Sequence, residues 1–150
     1  MEIKQFVVRA IAAVALILAA SMNVQAQACR LYNARNAQIG KIENDGTVRN
    51  ASNAQIGKMS SDGTVRNASN GQVGKINSDG TVRNSSNAQI GKIENDGTVR
   101  NASNAQIGKV SSDGTVRDAS NAQVGIARGD NINRQWVAAF YFFFFKDEVK

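Results

Sequence analysis

The 150-residue chain has no histidine, one cysteine (Cys29) and one tryptophan (Trp136). Without His it lacks the side chain most often used as a general base near neutral pH, and with one Cys it lacks the usual zinc ligands. A single thiol also excludes an internal disulfide. No aromatic residue occurs between Asn33 and Gln135, so the cations there have no stacking platforms of the kind that hold single-stranded nucleic acid. The chain has no run of apolar residues long enough for a membrane-spanning helix, which needs roughly twenty. These absences speak against an enzyme of the common acid–base or zinc classes, a nucleic-acid binder and an integral helical membrane protein.

What is present is organised. Lys4 and Arg9 precede an apolar run from Ala10 to Ala20, and Val24-Gln25-Ala26 places small residues at −3 and −1 of a cleavage point. This is the pattern of a secretory signal, which predicts a leader over 1–26 and a single domain over 27–150, in the periplasm or at the cell surface. Cys29 follows the leader closely, as in a lipidated N-terminus. Gln27 and the lack of Leu at −3 fit that pattern poorly, and a free thiol is favoured over a lipoprotein. The net charge of +6 implies only non-specific attraction to anions such as acidic glycans, lipid headgroups or nucleic acid.

From about Arg30 to Asn131 the chain repeats every seventeen residues. The glycine of Gln-[Ile/Val]-Gly falls at 40, 57, 74, 91, 108 and 125, and Asp-Gly-Thr-Val-Arg begins at Asp45, Asp62, Asp79, Asp96 and Asp113. Each unit reads as a β-hairpin, with Gln38–Ile42 and Thr47–Asn50 as strands. Asn44-Asp45-Gly46 is the turn, with Gly46 at positive φ. That turn places Lys41 opposite Arg49 and Ile42 opposite Val48. Ile42 and Val48 then share one face, and Lys41, Glu43, Thr47 and Arg49 the other. Asn50–Ala54 reads as a second tight corner, with Asn and Ser side chains serving the backbone. One unit buries too little to fold: three aliphatic side chains at about 1.5–3 kcal/mol each against roughly 1–2 kcal/mol of backbone entropy per residue. The copies must therefore pack on each other, and equivalent environments keep them alike. The array begins with a Thr-Val-Arg-Asn-Ala-Ser-like half at Arg30–Arg35 and finishes with a Gln-Ile-Gly-like half at Ala122–Ala127. Two such halves can meet and close a ring, which removes exposed strand edges. An open solenoid is the alternative.

Five Asp-Gly-Thr-Val-Arg hairpins at this step behind a secretion signal resemble the bacterial five-fold β-flower proteins. The resemblance covers about Arg30 to the aromatic tail. It implies an all-β fold, a closed, propeller-like ring of five hairpin petals about an axis, and no established activity or site residues. MORN-type hairpin arrays match less well, because their Tyr- and Gly-rich pattern is missing.

After Asn131 the pattern stops, and residues 132–150 form a C-terminal segment whose nearly continuous apolar run, Val137–Phe145, reads as a strand buried on both faces. Packing against the thin core is favoured over an exposed anchor for a membrane or partner. The repeated aspartates precede turn glycines and are read as serving the turn rather than calcium, for which the further oxygen ligands are absent. Arg128-Gly129-Asp130 matches an integrin-binding tripeptide but reads as a degenerate sixth turn, and Asn-Ala-Ser copies match glycosylation sites but read as corners. No cofactor is indicated. Equivalent units also cannot give an acid and a base the different environments catalysis needs. The remaining candidate is a pair of cationic rows, Lys41, Lys58, Lys75, Lys92 and Lys109 beside Arg49, Arg66, Arg83, Arg100 and Arg117. They read either as a solvated face, which is favoured, or as a surface for an acidic glycan. The expected role is a non-catalytic structural or binding scaffold, with an acidic glycan or another envelope protein as partner.

Overall fold

The computed structural model describes residues 27–150, and the expected leader lies outside the described residues. Twelve strands form one closed antiparallel barrel: β1 (Cys29–Asn33), β2 (Gln38–Ile42), β3 (Thr47–Asn50), β4 (Gln55–Met59), β5 (Thr64–Asn67), β6 (Gln72–Ile76), β7 (Thr81–Asn84), β8 (Gln89–Ile93), β9 (Thr98–Asn101), β10 (Gln106–Val110), β11 (Thr115–Asp118) and β12 (Gln123–Arg128). Each strand pairs with its sequence neighbour, and β12 pairs with β1 to close the ring.

Within each hairpin the register follows from turn length. Lys41 faces Arg49 and Ile42 faces Val48, as the Asn-Asp-Gly turn predicts. Gly46 has φ 86°, and its N–H donates to the Glu43 carbonyl at 2.9 Å while Glu43 N–H donates to Thr47 O at 2.8 Å. The other corner needs a second unusual residue, Asn53, at φ 65°, a region where Asn is tolerated far better than most L-residues. The Asn50 Oδ1 atom accepts from Ser52 N–H and Ala54 N–H at 3.1 and 3.0 Å, the side-chain service expected of this corner. Between hairpins the ladder slips by one residue: Val48 faces Gly57 but Arg49 faces Gln55. This bulge leaves Ile56 without a partner and turns it toward the core, where it packs half-buried.

Every hairpin also pairs with the next, so all twelve strands belong to one sheet. The ring closes with six strand pairs. Five are joined by Asp-Gly turns, and the sixth is assembled from the two half-units, with Leu31 facing Ala127 as Val48 faces Ile42. Arg128-Gly129-Asp130 consequently closes no turn: at this seam the chain leaves the wall, and Asp130 Oδ2 accepts from Gln27 N–H at 3.3 Å.

The expected aromatic strand is also corrected, because this segment is helical. Helix α1 (Arg134–Ala139) is capped by Asn133, whose Oδ1 accepts from Trp136 N–H at 3.1 Å. A π-helical turn (Phe140–Phe144) and a 3-10 turn (Lys146–Val149) follow. Ile132, Arg134 and Trp136 lie against the turn glycines Gly114, Gly97 and Gly46, whereas Val149 and Lys150 lie beside Asn33–Arg35. The segment thus threads the barrel from the Asp-Gly rim to the Asn-corner rim. No helix among the described residues is long and apolar enough to cross a membrane.

Candidate functional site

The repeated glycine explains the lumen. A Cβ at Gly57 would lie 2.5 Å from Phe145 Cζ and 2.5 Å from the Arg66 carbonyl oxygen, whereas carbon atoms in contact sit near 3.5–4.0 Å. The other five glycines meet one ring each: Gly40 meets Phe140, Gly125 meets Tyr141, Gly108 meets Phe142, Gly91 meets Phe143 and Gly74 meets Phe144. Six consecutive aromatic residues therefore visit six glycines once round the ring, one hairpin per residue. The circuit runs along the π-helical turn Phe140–Phe144, a wider winding than the α-helix before it. Phe140, Tyr141 and Phe145 are buried and Phe142–Phe144 half-buried, which places this segment in the core, as favoured over an exposed anchor. Tyr141 occupies the seam, and its hydroxyl donates to the Tyr32 carbonyl at 2.6 Å. Burial holds its pKa above the ordinary phenol value. The lumen is filled by the chain's own side chains, and surfaces for a partner are the outer wall and the two rims.

On the wall, the structure brings the predicted cationic rows together: Lys41, Lys58, Lys75, Lys92 and Lys109 each face Arg49, Arg66, Arg83, Arg100 and Arg117 in register. The arginines are occupied. Each Nη1 donates to the carbonyl of the left-handed Asn at the next corner, at 2.8–3.1 Å, so the row clamps the Asn rim. Arg49 and Arg100 also pair with Glu43 and Glu94, and Lys41, Lys58 and Lys109 lie within 4 Å of Glu43, Asp45 and Asp96. Lys75 and Lys92 form no ion pair among the described residues. Carboxylates and backbone carbonyls thus relieve the like-charge opposition along the wall, but Lys75 and Lys92 themselves have no carboxylate within 4 Å among the described residues.

At the Asp-Gly rim, Asp45 Oδ1 accepts from Thr47 N–H at 2.9 Å, and the same bond recurs in all five turns. This bond, helped by the threonine hydroxyl, holds each carboxyl below its ordinary pKa. The aspartates serve the turn. Thr47, placed by alternation on the same face as Lys41, is only 6% exposed. No cluster able to hold a metal occurs among the described residues. Cys29 is a free, buried thiol at the start of β1, raised by desolvation to about 11.

Two cavities flank Trp136 on this rim. One of about 500 Å3 lies over the second and third hairpins, and one of about 430 Å3 lies over the first hairpin and the seam. Reasoning from sequence missed them, because Trp136 fell one residue before the apolar run Val137–Phe145 and drew no role of its own. The signal was present in Asn133, an N-cap residue three positions before Trp136, which starts a helix at the rim.

A closed barrel of near-identical antiparallel hairpins, filled by a single aromatic segment, defines a repeat protein of β-flower architecture. The 5-fold beta-flower protein family model matches residues 28–145, and the chain belongs to that family. No curated protein and no solved structure matches the chain.

Proposed function

We propose that the protein is an exported, non-catalytic scaffold that presents a rigid wall and two rims to partners in the periplasm or at the cell surface. The observation that carries this reading is the filled lumen: six rings occupy the six glycine sockets, leaving a barrel that holds its shape rather than a reaction chamber. The repeated carboxylates support it too, since all five are engaged in identical turns and none is set apart as acid or base. Export rests on the leader pattern before Gln27. Intact-mass analysis of the protein from the periplasmic fraction tests it: cleavage after Ala26 is expected, and a diacylglyceryl mass on Cys29 would convert the reading to a lipoprotein.

A second reading is favoured by the unpaired Lys75 and Lys92: an acidic glycan lying along the wall. On a sulfated-glycan resin the scaffold reading expects retention that modest salt removes, as screened surface charge does. Retention surviving physiological salt, and lost when Lys41, Lys58, Lys75, Lys92 and Lys109 are changed to Ser, would replace it with the glycan reading.

A further inference from the structure

The two cavities beside Trp136 differ in chemistry from the cationic wall. The larger is lined by Ser60, Asp62, Asn77, Ser78, Gln135 and the Trp136 indole. The smaller brings Glu43 of the first hairpin and the helix cap Asn133 toward the same indole. No Lys or Arg lines either one. Both volumes fall in the roughly 300–1,000 Å3 range of small-molecule sites. An anion would meet Asp62 in the larger recess, where no cation lines the wall, and in the smaller one Glu43 already holds Lys41 and Arg49. A wholly apolar ligand would leave hydroxyls and amides without partners, which costs binding energy. A neutral polyhydroxylated ligand satisfies both conditions: its C–H faces pack on the indole while its hydroxyls exchange hydrogen bonds with amide, hydroxyl and carboxylate groups. The side chains of Ser60, Asn77, Ser78 and Gln135 make no hydrogen bond to the described residues, so their polar atoms are open to such a ligand.

A second observation points to the same place. Across the five complete units Asp-Gly-Thr-Val-Arg never changes, but the residue two before its Asp is Glu43, Ser60, Asn77, Glu94 and Ser111 in turn. It passes between carboxylate, hydroxyl and amide. Packing fixes positions that meet equivalent neighbours, and this position is released from that constraint. Three of its five occupants, Glu43, Ser60 and Asn77, line the recesses beside the only tryptophan. The ring is thereby differentiated where the threaded segment emerges.

We infer that the cleft astride Trp136 binds a neutral oligosaccharide of hexose or N-acetylhexosamine units. The site lies on the rim and uses neither cationic row, so its test is separate from that of the acidic-glycan reading. The lone indole is its own reporter. The protein expressed from its full chain is titrated, at physiological salt, with β-1,4-linked tetramers of N-acetylglucosamine and of glucose, following Trp136 emission and calorimetric heat. A saturable emission change with matching heat is expected for at least one tetramer. Asn77→Ala and Gln135→Ala, both outside the core, are each expected to weaken binding about five- to tenfold, as loss of one hydrogen bond predicts. Trp136→Ala is expected to abolish the heat, and changing Lys75, Lys92 and Lys109 of the wall to Ser is expected to leave it unchanged. No saturable response to either tetramer overturns the proposal, and so does binding that the Asn77→Ala, Gln135→Ala double variant leaves intact.

Discussion

The wall and the plug of this barrel solve one packing problem at two sequence periods. The wall returns to an equivalent position every seventeen residues, at Gly40, Gly57, Gly74, Gly91, Gly108 and Gly125, while the plug returns every single residue, from Phe140 to Phe145. The wall's local order comes from short-range polar chemistry: Asp on Thr N–H, Asn on the corner, Arg on the corner carbonyl. The plug's order comes from the ring of sockets around it, since nothing in six aromatic residues specifies a π-helix on its own. The difference teaches that a symmetric wall can dictate the pitch of an asymmetric segment.

The comparison breaks most severely if the plug loses its first ring. Phe140 is fully buried and packs on Tyr141 and Phe145 with centroids 5.5 and 5.8 Å apart. Phe140→Ala is expected to cost about 3–5 kcal/mol, read from denaturant unfolding, with loss of near-UV signal ahead of far-UV signal. An unfolding free energy within about 0.5 kcal/mol of the parent would mean that the wall stands without its filling.

A sharper test couples the two regions. Gly57→Ala pushes a methyl into both Phe145 and the Arg66 carbonyl, for an expected cost of about 1–3 kcal/mol. Phe145→Ala removes one of those obstacles. The double variant is therefore expected to lose less than the sum of the singles, with a coupling of about 0.5–3 kcal/mol. Additive losses would show that the glycine answers to the neighbouring strand alone.

The smallest effect lies in the wall alone. Asp45, Asp62, Asp79, Asp96 and Asp113 have lowered folded pKa values because Thr N–H groups hold the carboxylates. A depressed folded value means stabilisation that is complete above the ordinary carboxylate range and lost as pH falls through the folded value. Stability should thus be flat near neutrality and fall below about pH 4. Changing all five to Asn keeps an acceptor for the turn and should flatten that acid slope in thermal unfolding scans. An unchanged slope would place the acid sensitivity elsewhere, for instance at Asp118, which is held low by Ser120 and Ala122.

Most of the wall was legible because its signals are local. Asn-Asp-Gly set the turn and hence the Lys41–Arg49 register, and the complementary half-units announced the closure that β1 and β12 make. The plug was misread as a strand because a short apolar run has no period of its own, and length alone favours a strand. The missing information was relational: six aromatic residues in a row match six Gln-[Ile/Val]-Gly glycines, a correspondence visible only once the ring is imagined closed. The cationic rows were found by their spacing, but the carbonyls that hold the arginines depend on a left-handed Asn whose direction spacing does not convey. The Trp136 cleft escaped for a similar reason, since it joins residues from three hairpins to Asn133, Gln135 and Trp136 on the emerging segment.

Tandem copies as alike as these are prone to be gained or lost, and a hairpin more or less would suit the wall almost equally well. The threaded segment would not tolerate it. With a seventh unit one glycine would face no ring, and with five units one ring would find no glycine. The run of aromatic residues is in this sense a gauge, read once round the circuit, that admits a barrel of six and rejects its neighbours.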